Sequence, residues 1–428
     1  MDDAAGTERQ DETPGPPVPP GPYPGRATHP GRATHPGKAT HPGNATRPGN
    51  ARAVQAVGER WLREFDGQGD FVCSPAGLWL ALGAVAAGAG GGTAEELRAL
   101  LGVAGHDAAE AVTCAAGELA GTDALAVATR VWSRIPLYRA YREALPGIGF
   151  GRLGDGQDEI DAWVKETTGG QIEKLPVPIP AETLLALVNV LALKARWKTP
   201  FPAHATRPAP FTDATGTPHQ VPTMHRRLAP GDAWTTGPAQ VAQLRCEGAA
   251  GAVVRLVLGA PGAGPAEVLP AAWAPREACA PVDAEAVSLA VPRLALRTTT
   301  DVTPQLPALG VRQATTPLAD FSGLSPEPLA ISTVVQEAVL TIAELGVEAA
   351  AVTAVLARAG GAPRPVRTLR LAYDRPFGIV VLDASGRLPL FAAWQSTAPA
   401  GDPAPGGGPR GGFPPPPPLP PGAPGAGS

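Results

Sequence analysis

Residues 183–195 read TLLALVNVLALKA, and from Leu184 to Leu193 every position except Asn189 is apolar. A strand with one face in water alternates apolar and polar residues, whereas an unbroken apolar run belongs to a strand covered on both faces. The chain must therefore hold a sheet with packed layers above and below it. Asn189 has to find hydrogen-bond partners inside that packing.

Further strands are expected at 251–259, 286–296, 331–343, 366–373, 377–383 and 389–395. Helical spacing dominates earlier in the chain. Val54, Val57, Trp61 and Leu62 share one face, Leu78 to Ala87 follow a Ser74-Pro75 start, and Thr93 stands as a cap before Glu95-Glu96-Leu97. Ile160, Trp163 and Val164 mark another helix. Helices early and strands late predict an α+β domain around one large sheet.

That domain is expected over 52–396. Residues 1–50 read as a tail, because PGRATH, PGRATH, PGKATH, PGNATR and PGNA recur from Pro24 to Ala51 with no apolar side chain larger than Ala. Such a repeat has nothing to bury and is expected to be disordered, a flexible linker before a loose metal site for His29, His35 and His41. Residues 397–428 are a second Pro/Gly-rich tail, with PPPPPLPP at 414–421 suited to polyproline II.

Charge and motifs narrow the function. The net charge is −4, which offers no footprint for nucleic acid. No run of about 18 uncharged apolar residues predicts a membrane span. Met1-Asp2-Asp3 opens an acidic stretch without the basic start of a signal peptide, so the expected compartment is the cytoplasm by default, with an extracellular site reached only by an unrecognised route. Arg outnumbers Lys thirty to five, a composition suited to a GC-rich, bacterial coding sequence. Cys73, Cys114, Cys246 and Cys279 lack C-x-x-C spacing and read as free buried thiols.

No metal or cofactor is expected, and no conventional active site is visible. G-x-S-x-G, H-E-x-x-H and G-x-x-x-x-G-K are absent, and His106, His204, His219 and His225 sit in polar, loop-like sequence. The glycine run at 90–92 lacks the lysine of a phosphate cradle and reads as a flexible turn. Cys73 beside Ser74 reads as structural, flanked as it is by Phe71, Val72 and Pro75.

The stretch ELGVEAAAVTAVLAR at 344–358 has two readings. Its Ala, Leu and Glu content favours helix. Taken two at a time, Val347, Ala349, Ala351, Thr353, Val355 and Ala357 line one uncharged face, while Glu348 and Arg358 fall on the other.

Several segments, in order, resemble those of the serpin family and cover 52–396 almost end to end. FVCSPAGLWLAL (71–82), TAEEL (93–97) and EIDAWVKETTGGQIEKL (159–175) are similar to successive family helices. LVNVLALKARWKTPF (187–201) resembles its strand and turn, VPTM (221–224) and VPRLAL (291–296) follow in place, and 320–354 and 375–394 complete the set. The resemblance implies one large central sheet, two smaller sheets, eight or nine helices and an exposed reactive-centre loop.

It also implies a function: suicide inhibition of a serine protease, in which the loop is cleaved and inserted as a new strand, by a monomer that is not an enzyme. The partner would be a trypsin-like or an elastase- or subtilisin-like protease. On this resemblance Glu344, Gly346, Val347, Glu348, Ala349, Ala350, Ala351 and Thr353 form the loop hinge, and Ser74, Asn189, Lys194, Trp197 and Gln336 the region where the sheet opens. Family spacing from Glu344 puts the scissile bond at Gly360-Gly361, with Arg358-Ala359 and Ala359-Gly360 as competitors.

Four residues depart from the family pattern. Leu345 stands where Glu or Lys is usual, Val347 where Thr or Ser is, Gln336 where a His closes the sheet, and Gly77 where a Ser does. The last two are expected to alter the hydrogen-bond latch and so to loosen the metastable state. No basic cluster lies along 104–124, so activation by glycosaminoglycan is not expected. The other reading is a binding or carrier protein on the same fold that does not inhibit.

Overall fold

The computed structural model describes residues 48–399 apart from 66, 68, 124, 155, 156, 171, 176 and 348–365. The two tails therefore lie largely outside the described residues. Helix Pro48–Trp61 begins inside the stretch assigned to the first tail, and the Asn50 side chain donates to the Ala111 carbonyl at 3.4 Å. At the other end Ser396 is buried, its backbone N–H bonded to the Asp70 carboxylate at 2.6 Å.

Three sheets form. Five strands lie in the order Leu294–Asp301, Thr333–Ile342, Leu185–Leu193, Leu125–Ser133 and Gly149–Arg152. A seven-stranded antiparallel sheet runs from Phe71–Cys73 through Pro389–Gln395, Phe377–Leu382, Val253–Leu258, Ala239–Arg245 and Ala233–Thr236 to Cys279–Pro281. Four more strands, Thr368–Ala372, Ala286–Pro292, Pro218–Leu228 and Arg207–Thr212, make the third sheet. The sheet around the apolar run is thus not the one with most strands. Seven α-helices and six 3-10 turns accompany them among the described residues, none long and apolar enough to cross a membrane.

The unalternating run at 185–193 has the expected cause. Leu185, Leu187, Leu191 and Leu193 enter the main core, whereas Ala186, Val188 and Val190 enter a second core with Ile160 and Val164. Those two residues belong to helix Asp158–Thr167, whose apolar face lies on the five-stranded sheet. Burying one such aliphatic side chain contributes about 1.5–3 kcal/mol, so covering both faces roughly doubles what this strand can gain.

Four local expectations need correction. Thr93 is not a cap: the helix runs Gly91–Leu101 after Gly90, and the buried Thr93 hydroxyl accepts from the Asp320 N–H at 2.9 Å. The glycines at 90–92 are not a slack turn either, since a side chain on Gly90 would collide with the Asp320 carboxylate. The apolar run at 286–296 splits at Arg293 into strands of two different sheets, Ala286–Pro292 and Leu294–Asp301.

Nor are the four histidines in loops: His106 opens helix His106–Ala120, His204 lies in a 3-10 turn, and His219 and His225 sit on Pro218–Leu228. The four cysteines are free thiols, with Cys73 and Cys246 buried and Cys114 and Cys279 half-buried. Burial pushes the Cys246 thiol up to about 12.

Candidate functional site

Strands Leu185–Leu193 and Thr333–Ile342 lie side by side and parallel, in register from Thr333 opposite Ala186 to Val339 opposite Ala192. In the middle of this seam Gln336 faces Asn189. Strands in one sheet point alternate side chains to one face, which places both carboxamides on the side of helix Pro75–Ala86.

The Gln336 side chain grips the start of that helix with both ends. Its Oε1 accepts from the Ser74 N–H at 2.6 Å, and its Nε2 donates to the Ser74 carbonyl at 3.0 Å and to Asn189 Oδ1 at 3.1 Å. Asn189 Nδ2 donates to Thr129 Oγ1 at 2.7 Å and more weakly to the Ala128 carbonyl at 3.4 Å. The Ser74 hydroxyl donates to the Leu390 carbonyl at 2.5 Å and accepts from the Gly77 N–H at 3.0 Å. Ser74, Asn189 and Gln336 are each at most 2 % exposed.

The departures at 77 and 336 therefore fit one another. A Cβ on Gly77 would overlap the Asn189 carboxamide, so only glycine leaves Asn189 room to reach Gln336. In this geometry every polar end of Asn189 and Gln336 is bonded. A neutral buried hydrogen bond contributes about 0.5–1.5 kcal/mol net, but an orphaned partner costs about 1–3 kcal/mol.

The hinge begins just beyond the seam. Ala343 to Val347 form a tight turn, closed by Ala343 N–H to the Gly346 carbonyl at 2.9 Å. The segment Ala195–Trp197, which follows the strand Leu185–Leu193, clasps the turn. Val347 N–H donates to the Ala195 carbonyl at 2.7 Å, Trp197 N–H to the Leu345 carbonyl at 2.8 Å, and the Trp197 indole to the Ala343 carbonyl at 2.8 Å.

Gly346 pairs with Arg196 so closely that a Cβ would overlap the Ala195 carbonyl. Val347 is buried, which explains an apolar residue where the family has Thr or Ser, and Leu345 is half-buried. Lys194 stands exposed just past the strand end.

Glu344 anchors the turn from the side. Its carboxylate takes a two-pronged contact from Arg293, with Nε at 2.7 and 2.9 Å from the two oxygens, and a hydrogen bond from Thr206 Oγ1 at 2.6 Å. Burial alone would raise its pKa, but the Arg293 and Thr206 hydrogen bonds outweigh it and hold the carboxyl below the usual range. Across the sheet, Glu337 is fully buried and paired with Arg297 at 2.7 Å and with Thr299, tying Thr333–Ile342 to its outer neighbour rather than to the seam.

Over Glu344–Val347 the chain is thus neither helix nor strand. Glu348, Ala349, Ala350, Ala351, Thr353, Arg358, Ala359, Gly360 and Gly361 lie outside the described residues. Sequence reasoning missed Arg293, Thr206 and Thr129. Of the three, Arg293 alone left a trace, as a charge interrupting an apolar run.

Comparison with known proteins fixes the class. The family model Serpin (serine protease inhibitor) matches residues 60–395, and this chain belongs to the serpin family. A serine proteinase inhibitor of Cavia porcellus is 30% identical over 260 residues, a match spanning 60% of this chain and 60% of that relative's own length. That relative lends no support to a bacterial source.

Among solved structures, the native thermophilic serpin tengpin superposes with a TM-score of 0.71 at 21% identity, covering 82% of this chain and 94% of that one. Thyroxine-binding globulin in complex with thyroxine gives 0.68 at 22%, covering 82% and 99%. At these identities the two structures speak for the fold.

Proposed function

We propose that this serpin inhibits a serine protease by presenting the segment after Val347 as bait and then taking the cut segment into the seam between Leu185–Leu193 and Thr333–Ile342. The observation that carries this is where the described hinge ends: Val347 is bonded to Ala195, two residues past the end of one seam strand and so beside the seam proposed to open. Inserting a strand there replaces one ladder with two. About ten new backbone hydrogen bonds at about 0.5–1.5 kcal/mol each give ~5–15 kcal/mol, comparable with the stability of a whole domain. That is enough to drag and deform an acyl-enzyme, whose ester survives when its oxyanion donors are displaced.

The insertion face proposed from the parity of Val347, Ala349, Ala351 and Thr353 is uncharged, as burial requires. The scissile bond is proposed at Arg358-Ala359, Ala359-Gly360 or Gly360-Gly361. The test is incubation of the full chain with trypsin, elastase and subtilisin, followed by denaturing electrophoresis and sequencing of the released peptide. A covalent complex that survives denaturation is expected. Clean cleavage with no complex, and no rise in melting temperature after the cut, overturns the proposal in favour of a binding or carrier protein. Leu345, standing where the family has Glu or Lys, is the hinge feature that favours that second reading.

A further inference from the structure

Away from the seam, a cleft of about 1190 Å³ opens between the start of helix Pro48–Trp61, one end of the seven-stranded sheet and the turn before Pro389–Gln395. Five guanidinium groups line it, those of Arg52, Arg245, Arg255, Arg276 and Arg387, against the single carboxylate of Asp232. The chain as a whole carries a net charge of −4, so this concentration of positive charge is local and not compositional. Five like charges around one depression repel one another, and a surface built only for solubility intersperses the two signs.

Their bonding is what sets these arginines apart. Among the described residues, Arg52, Arg245, Arg255 and Arg276 form no ion pair. Arg255 lies half-buried over the Trp234 ring, 5.2 Å from its centroid. It is fixed by neutral acceptors only: Nε donates to Gln243 Oε1 at 3.1 Å and Nη1 to the Ala272 carbonyl. Its Nη2 makes no hydrogen bond among the described residues and lies beside Gly386, where a Cβ would come within 2.8 Å of it. Burial, and then the Arg245 charge, depress the Arg255 pKa, while Cys279 and Asp383 act the other way. An anion in the cleft would relieve the strain that burial and repulsion impose.

We propose that this cleft binds a small molecule carrying clustered phosphates. Guanidinium forks match phosphate oxygens two at a time, and arginines converging from separate strands, a helix and a turn can each take a different oxygen. A lone carboxylate would satisfy one or two of them and leave the others repelling. The volume suits a compact ligand, and the site is independent of the protease reading.

Isothermal titration of the full chain at about 150 mM salt tests it, with tripolyphosphate, ATP and inositol hexakisphosphate as probes and adenosine and benzoate as controls. Saturable one-to-one binding of the phosphorylated probes is expected, with no measurable heat from the controls. Whether ATP exceeds tripolyphosphate then distinguishes a nucleotide source from phosphate alone. Arg255→Met is expected to weaken binding at least tenfold, the worth of about one charge-assisted hydrogen bond.

Should Arg255→Met melt early, the exposed pair Arg245→Gln with Arg276→Gln serves instead, with the same expected loss and an unchanged melting midpoint. Arg207→Ala, on another sheet, is expected to leave binding unaltered. Absence of saturation up to millimolar probe, binding undiminished in the Arg245/Arg276 variant, or benzoate binding as tightly as tripolyphosphate overturns the proposal.

Discussion

The seam and the hinge root are held by opposite chemistries. Across the seam, Gln336, Asn189 and Ser74 form a dry network without a single ionisable group. At the root, Arg293 and Glu344 form an ion pair with the arginine side chain 30% exposed. Neutral bonds within a seam can be exchanged for those of an incoming strand at little net cost. A buried charge pair cannot be exchanged so easily, because removing either partner strands the other. The contrast assigns each part a task under the proposed mechanism: the latch must open, whereas the root must stay where it is.

The largest expected effect comes from breaking the latch at its centre. Gln336→Leu fills a similar volume but leaves the Ser74 N–H and Asn189 Oδ1 without their present partner, while the Ser74 carbonyl keeps the Leu78 N–H at 3.0 Å. At about 1–3 kcal/mol per buried orphan, a loss of about 2 kcal/mol or more is expected in urea unfolding of the uncleaved chain. A loss below about 1 kcal/mol would show that water replaces the carboxamide and that the latch is not dry.

Next comes the fit between Gly77 and Asn189. In an ordinary helix Gly→Ala stabilises by about 0.5–1 kcal/mol. Here the new methyl would overlap Asn189, so Gly77→Ala should destabilise by about 1–3 kcal/mol. In an Asn189→Ser background the same change should lose most of that penalty, since the obstructing group is gone. Additive effects in the double variant would separate the two residues and break the pairing argued above.

Much of this was legible in the chain, and the limits have a physical cause. The covering of Leu185–Leu193 on both faces follows from the missing alternation alone, and Asn189 announced buried partners without naming them. Their identity was not local information: Gln336 lies 147 positions from Asn189, and Arg293 lies 51 from Glu344. Pro218–Leu228 went unread because two prolines and two histidines lower its strand signal, and pairing on both sides supplies what propensity does not. Gly77 stood out only as a departure from the family's Ser, and the Asn189 carboxamide shows why a side chain is excluded there.

Acid separates the two regions. The Glu344 pKa is held below its ordinary value of 4.5, so its contribution is fully present above that pH and is lost as pH falls through the lower, folded value. Glu344→Gln should remove about 1–2 kcal/mol at neutral pH. The variant's stability should also fall less than the parent's below about pH 4.5, while Gln336→Leu should retain the parent's acid slope. Parallel acid curves for Glu344→Gln and the parent would mean that the ion pair does not hold the root.

The smallest effect is the most diagnostic of the latch itself. Gln336→His restores the residue usual in the family and places a titratable ring in a site 2 % exposed. Burial disfavours the charged imidazolium, so the folded-state pKa should sit below the unfolded value of about 6.5. Stability would then be lost as pH falls from about 6.5 through the folded value, by about 1.4 kcal/mol for each unit of depression. The parent carries only carboxamides and a hydroxyl here, and its latch should contribute no such slope between about pH 5 and 8. Unfolding midpoints measured across that range for both chains decide the matter: a difference that does not change with pH would mean that position 336 is wetter, or better supplied with acceptors, than its contacts with Ser74 and Asn189 indicate.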